Sequence, residues 1–332
     1  MKVSIIICTH NPNQHSFQLL LNRLVELESS AHEIIIIDNM SSPSLEAMIE
    51  EHNSKNRIMI NYYFENRLGL SFARQTGIKR ATGDLIVFFD DDNLPETDYI
   101  TNVVSVFREH NQIGIIGPGQ VDVIFFDNTG KTITQKHPII NRLFQEKHIN
   151  NIEYSNTIKC TAAFPEGTGF AMRKAIADAY AKNVENYQTT GRKGKSLASG
   201  DDFQLTYKCL KLNMAAGRSP KLRLKHLIPI SKTKIAYIRR LKFGQTFSVP
   251  LALQESFPEI KSKNIIVANG LTNASFLFGI VRELLTPSII TDRVARNLSL
   301  AHKCGWYYGY HLAAGNKTPI AVSLCIRLFK LN

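Results

Sequence analysis

Apolar positions along this chain fall into short continuous runs separated by stretches of helical periodicity. "KVSIIICTH" reads as a buried strand over residues 2–8 that ends in the polar turn Thr9-His10-Asn11-Pro12. Leu20, Leu24 and Leu27 then recur at helical spacing, with Ser16 as the candidate cap. "EIIIID" (33–38) is a second continuous run; a helix over 44–52 and a strand around 58–64 follow. "LSFARQTGIKRAT" (70–82) predicts a helix stopped by Gly83, and "LIVFF" (85–89) predicts the next strand. The order is β-α-β-α-β-α-β. Strands without a polar face, alternating with helices, predict an α/β fold: a mostly parallel central sheet with helices on both sides.

The later pattern is less regular. Strands are expected at 113–117 and 121–126, a glycine turn into a helix within 158–181, and a polar loop before a helix near Asp201. From 231 the pattern is helical and basic. Residues 1–230 are therefore expected to form an α/β domain, with halves at 1–100 and 101–230, followed by a helical extension over 231–332. In open sheets of this kind the ligand site lies beyond the carboxyl ends of the strands. Thr9-His10-Asn11, Asp38-Asn39 and Asp90-Asp91-Asp92 all fall there.

Charge sharpens the division. The net +12 splits into −4 over residues 1–202 and +16 over 203–332. Such segregation points the basic half at an anionic partner, a membrane surface or a phosphorylated substrate. Nucleic acid is not expected, because aromatic residues are not interleaved with the basic ones. In "SKTKIAYIRRLKFGQ" (231–245), Ile235, Ile238 and Leu241 share one side of a helix crowded with Lys and Arg. That helix and the tail "IAVSLCIRLFKLN" are expected to lie on an anionic membrane. The five cysteines are scattered without a CxxC pair, which suggests neither a zinc site nor a disulfide framework. No start resembling a signal peptide and no run of about 18 apolar residues occurs. The expected location is cytoplasmic, peripheral at the inner face of the cell membrane.

Two acidic clusters carry candidate chemistry. "LIVFFDDDNLP" (85–95) delivers three carboxylates from an apolar strand, which suits an oxygen-loving cation such as Mg²⁺ or Mn²⁺. "SGDDFQL" sets Asp201-Asp202 at a helix start, where carboxylates either complement the helix N-terminus or serve as a base. "TTGRKGKS" (189–196) looks like a phosphate-binding loop, but Thr189 stands where that pattern needs glycine. Arg192, Lys193 and Lys195 are instead expected to form a basic loop over a diphosphate.

Together, "SIIICTHN", "IIIIDNMSS", "NRLGLSFARQTGIKRATGDLIVFFDDDNLP" and "SGDDFQL" resemble the family 2 glycosyltransferases of GT-A fold, of the bacterial surface-polysaccharide type. The resemblance covers residues 3–100, with a later anchor near 165–230. It implies a GT-A (Rossmann-like) fold and an inverting transfer from a nucleotide-sugar, UDP-sugar favoured, to a saccharide hydroxyl. The acceptor would be free or carried on a polyprenyl diphosphate. It further implies that Thr9, Asn11, Asp38, Arg74, Asp90 and Asp91 contact the nucleotide. Asp92, with Asp90 and His226, would hold Mn²⁺ or Mg²⁺. Asp202 would be the general base, and Gly167, Thr168, Gly169 and Asp201 would line the sugar and acceptor pocket. Two departures stand out: Asp201 replaces the usual Glu, and Asn39 occupies a position where the family often has a second acid. The rival readings are a transferase acting directly on polyprenyl phosphate and a non-catalytic glycan- or lipid-binding module.

Overall fold

The computed structural model describes residues 1–126, 137, 139–159, 161–188, 191–192, 197–286 and 292–332. Thr189, Lys193 and Lys195 of the expected basic loop lie outside the described residues. In chain order the main elements are β1 (Val3–Thr9), α1 (Gln14–Leu27), β2 (Glu33–Asp38), α2 (Glu46–Asn56), β3 (Ile60–Phe64), α3 (Leu70–Arg80), β4 (Leu85–Asp90), β5 (Asn93–Pro95), α4 (Tyr99–Glu109) and β6 (Ile113–Phe125). There follow α5 (Ile139–Leu143), β7 (Lys147–His148), β8 (Glu153–Ser155), β9 (Ala171–Arg173), α6 (Lys174–Ala181), α7 (Asp201–Lys211) and β10 (Ala215–Ile228). The chain then continues through α8 (Ile235–Ser256), α9 (Lys261–Gly270), α10 (Asn273–Leu284), α11 (Arg293–Ala314) and α12 (Ile320–Leu328). The chain divides into two units interleaved in sequence. The first holds Met1–Phe126, Phe144–Tyr187 and Leu205–Pro229; the second holds Asp127–Leu143, Gln188–Gln204 and Ile230–Asn332.

The first unit is built on a ten-stranded sheet in the order β3-β2-β1-β4-β9-β6-β10-β5, with β7 and β8 off that path. The parallel run β3-β2-β1-β4 matches the amino-terminal pattern. Period-two alternation explains why β1 is apolar throughout. Ile5 and Ile7 join the core made with α1 and α4, while Ile6 and Cys8 join the one made with α3 and α6. The sheet is mixed beyond β4, since β9 runs antiparallel to both β4 and β6.

Local expectations changed at three points. Asn13, not Ser16, caps α1: its Oδ1 accepts the Ser16 N–H at 3.1 Å. The strands expected at 113–117 and 121–126 are one strand, β6. Its partner β10 absorbs the interruption at Gly117-Pro118-Gly119 by a register shift between Ser219 and Arg223. A proline lacks the N–H for the ladder, so the pairing slips there while the strand continues. β10 itself was not expected, although "KLRLKHL" alternates polar and apolar residues at strand period.

The second unit is helical. Its core gathers Phe243 of α8, Phe276 of α10, Cys304 and Tyr307 of α11, and Val322 and Ile326 of α12. Gly309 lets α11 approach α8: a Cβ there would lie 2.6 Å from the Phe247 carbonyl oxygen. The 231–245 segment departs from expectation. Ile238 and Leu241 are buried, and burial lowers the pKa of the Lys242 amine. Two of the three expected stripe residues are packed inside the protein, and Ile235 is half-buried.

Candidate functional site

Parallel register brings the polar strand ends of the first unit together. Cys8 pairs with Asp90 and Thr9 with Asp38. The Thr9 hydroxyl donates to Asp91 Oδ2 at 2.6 Å, tying β1 to the acidic turn after β4. Asn93 stiffens that turn: its Oδ1 accepts the Asp90 N–H at 3.1 Å, and its Nδ2 donates to Asp92 Oδ1 at 3.2 Å. Asp90 and Asp91 are half-buried, whereas Asp92 is 4% exposed.

His226 arrives from β10, which pairs antiparallel with β5 so that His226 faces Asn93. Its Nε2 lies 3.4 Å from Asp92 Oδ1. Its Nδ1 lies 2.7 Å from the Phe144 carbonyl oxygen. A carbonyl only accepts, so Nδ1 carries a hydrogen and Nε2 is the atom turned to the carboxylate. With both groups buried, a cation placed between Nε2 and the carboxylate would be favoured over leaving them facing each other. A histidine fixed through its other nitrogen by a backbone carbonyl is the usual arrangement of a metal ligand. Among the described residues no group of three or more His, Cys, Asp or Glu could hold a metal. Two protein ligands, with the remaining positions left to phosphate oxygens and water, suit Mg²⁺ or Mn²⁺.

Asp38, at the end of β2, is tied into its own turn. Its carboxylate is fully buried and accepts from the Ser41 N–H (2.8 Å), the Leu45 N–H (3.1 Å) and the Tyr62 hydroxyl (3.0 Å). Those donors, two backbone amides and one hydroxyl, use the Asp38 carboxylate to hold the β2–α2 turn. Asn11 also braces this turn, accepting from the Ser42 N–H at 2.9 Å and donating its own N–H to Ser41 Oγ at 2.9 Å.

Asn39, noted in the sequence only as a departure, organises the next loop. Its Nδ2 donates to the carbonyls of Glu65 (3.1 Å) and Arg67 (2.8 Å), and its Oδ1 accepts the Gly69 N–H at 2.8 Å. An aspartate could not make the first two bonds. Glu65 and Arg67 complete the loop through paired hydrogen bonds at 2.9 and 2.8 Å. The Arg67 guanidinium holds the Glu65 carboxyl down at about 2. Sequence reasoning missed Asn39, Glu65, Arg67 and Asn93 as structural parts of the site. The signal was the "ENR" and "DN" segments at strand ends, whose side chains can bond local backbone.

Arg74 is buried. Its guanidinium carbon lies 5.4 Å and 5.0 Å from the ring centroids of Phe88 and Phe170. A cation desolvated over two aromatic faces is held firmly beside β4, two residues from Asp90.

In "FPEGTGF", Gly167 and Thr168 are buried, and the Thr168 hydroxyl has no hydrogen-bond partner among the described residues. A buried hydroxyl left unmade costs about 1–3 kcal/mol. Gly169 also has a packing reason. Its φ is +67°, its carbonyl accepts the Tyr99 hydroxyl, and a Cβ would lie 2.3 Å from Leu224 Cδ2. Packing and backbone conformation by themselves demand glycine here. Asp201 is buried and Asp202 half-buried in the first turn of α7, where the helix dipole favours negative charge.

Residues 4–181 match the family described as "Glycosyl transferase family 2". Over 118 residues the chain is 24% identical to a glucosyl-dolichyl phosphate glucuronosyltransferase of Haloferax volcanii, covering 35% of this chain and 37% of that protein. Over 137 residues it is 28% identical to an undecaprenyl-phosphate 4-deoxy-4-formamido-L-arabinose transferase of Yersinia pestis, covering 40% and 42%. The chain therefore spans well under two thirds of the length of these relatives. The crystal structure of S. aureus TarS 1-349 superposes with a TM-score of 0.45 at 15% identity, over 95% of this chain and 92% of that one.

Proposed function

The chain belongs to glycosyl transferase family 2, and from that premise we propose that it is an inverting transferase using a UDP-sugar donor. The acceptor is the hydroxyl of a saccharide, free or lipid-linked. The observation that carries this reading is the buried Asp92–His226 pair at 3.4 Å, with His226 fixed through Nδ1. Asp92 and His226 are the residues that would hold Mg²⁺ or Mn²⁺; when bound, the ion offsets charge growing on the departing diphosphate. Asp202 takes the proton from the acceptor hydroxyl as its oxygen attacks the anomeric carbon. The bond from that carbon to the diphosphate oxygen breaks in the same displacement, so the configuration inverts. Asp91, tied to Thr9, and the buried Arg74 serve the nucleotide side, and the Thr168 hydroxyl serves the sugar.

The test is thermal shift of the full chain with UDP, TDP, CDP and GDP, with and without Mn²⁺. A ligand that binds only the folded state raises the midpoint. UDP with Mn²⁺ is expected to give the largest shift, and Asp92→Asn and His226→Ala are each expected to remove its metal dependence. An unchanged metal dependence in both variants refutes the ligand assignment. Asp202→Asn is expected to lose nearly all transfer while keeping the UDP shift; full turnover in that variant refutes the base assignment. The printed name of the Yersinia relative favours a second reading, transfer directly to a polyprenyl phosphate, whereas that of the Haloferax relative names a lipid-linked saccharide acceptor. Product analysis with both acceptors separates the two.

A further inference from the structure

The helical unit carries an apolar surface that its own core does not use. On α10, Leu277, Phe278, Val281 and, just past its end, Leu285 are 54%, 69%, 55% and 74% exposed. They recur at helical spacing on the side away from Phe276, which is fully buried. On α12, Ile320, Leu324 and Leu328 form a second stripe, 71%, 52% and 76% exposed, opposite the buried Val322 and Ile326. The two helices share one core and are joined by the Ala321 N–H donating to Asn273 Oδ1 at 2.9 Å. α9 adds Ile265, Ile266 and Val267 in succession, all exposed. Surface this apolar on neighbouring helices marks an interaction site.

Charge says what covers it. The helical unit holds 20 Lys and Arg against 7 Asp and Glu, a net +13, and the sheet unit nets −1. Arg282 flanks the α10 stripe, Arg327 and Lys330 flank that of α12, and Lys261 and Lys263 stand on α9; all are exposed. Among the described residues of these three helices the single acid, Glu283, is ion-paired with Lys303 at 2.9 Å. Leu277 also lines a mostly apolar cavity of about 300 Å³ with Phe276, Ile280, Leu300 and Phe329, whose lining includes Glu283 and Arg296.

We propose that α9, α10 and α12 form a docking face for an anionic lipid bilayer. The apolar stripes enter the headgroup–acyl boundary, and the flanking Arg and Lys meet lipid phosphates. The helices lie on the bilayer and do not span it. No single helix among the described residues is long and apolar enough to cross. Pro258–Gly270 and Asn273–Glu283 reach that length and composition only as a pair bent by 64°. Their inner sides, with Asn264, Ala268 and Phe276, are committed to protein. This face replaces the 231–245 helix as the membrane contact, and the inference stands apart from the donor chemistry.

Vesicle co-sedimentation of the full chain tests it, with phosphatidylcholine alone and mixed with phosphatidylglycerol. The native chain is expected to bind the mixed vesicles and to lose binding as salt rises. Phe278→Glu with Leu328→Glu, both at exposed sites, is expected to weaken binding about tenfold or more with an unchanged melting temperature. In a Trp306→Phe, Phe278→Trp chain the fluorescence of the single tryptophan is expected to shift to the blue on mixed vesicles. The proposal is overturned if the native chain does not bind the mixed vesicles or if the double Glu variant binds as the native chain does. It is also overturned if the native chain is a dimer that the double Glu variant dissociates, since the occupant is then a second copy.

Discussion

Replacing Asn39 by aspartate would restore the paired acids common at this position, and we expect it to destabilise the protein strongly. The amide is 3% exposed and its orientation is forced: two carbonyls must be met by N–H, and the Gly69 N–H must be met by oxygen. Aspartate keeps the Gly69 bond but turns a carboxylate oxygen toward the carbonyls of Glu65 and Arg67. Two lost hydrogen bonds at about 1 kcal/mol each, plus the penalty of a buried charge facing two acceptors, come to ~3–5 kcal/mol at neutral pH. Asn39→Ala removes the bonds without adding charge and is expected to cost about 2–3 kcal/mol. The sign with pH separates them. Burial and the carbonyl dipoles raise the folded-state pKa of the new acid above its unfolded value near ~3.9. Between those values the folded state holds the extra proton, so stability relative to the native chain falls as pH rises through the interval. Below it the protonated carboxyl can donate one of the missing bonds. Urea denaturation followed by circular dichroism at about pH 4 and pH 7, with the native chain in parallel, measures this. Native-like stability of Asn39→Asp at neutral pH would falsify the assigned network, as would a penalty that is the same at both pH values.

Two further perturbations read the frame around the site. Gly169→Ala is expected to cost about 2–4 kcal/mol, combining left-handed backbone strain with overpacking against Leu224 and Tyr99; a loss below about 0.5 kcal/mol in urea would remove the packing explanation. Glu65 has its folded pKa depressed to about 2 from 4.5, so its contribution is present above 4.5 and is lost as pH falls from 4.5 toward 2. After allowance for the 40% exposure of Arg67 this amounts to ~2 kcal/mol. Glu65→Gln should flatten that acid limb, and an unchanged limb shows that another group causes it.

The amino-terminal half was legible because its strands are buried on both faces. "VSIIIC", "EIIIID" and "LIVFF" have no polar side to misplace, and the polar residues that end them mark the ligand edge of a parallel sheet. Family membership rests on the same stretch. What one residue does with its neighbours was decided by tertiary structure. Asp38 and Gly169 matched functional positions, and the fold also ties the first to turn amides and a hydroxyl and sets the second in a close approach to Leu224. Only the family resemblance linked His226 to Asp92; the β5–β10 pairing is what sets it 3.4 Å from that residue, more than a hundred positions away in sequence. The same holds for the basic helices. Periodicity shows that a helix has an apolar side, but not whether that side is filled. Ile238 and Leu241 are covered by protein, whereas Phe278 and Leu328 are not, because only three-dimensional packing determines which stripe finds a partner inside the molecule.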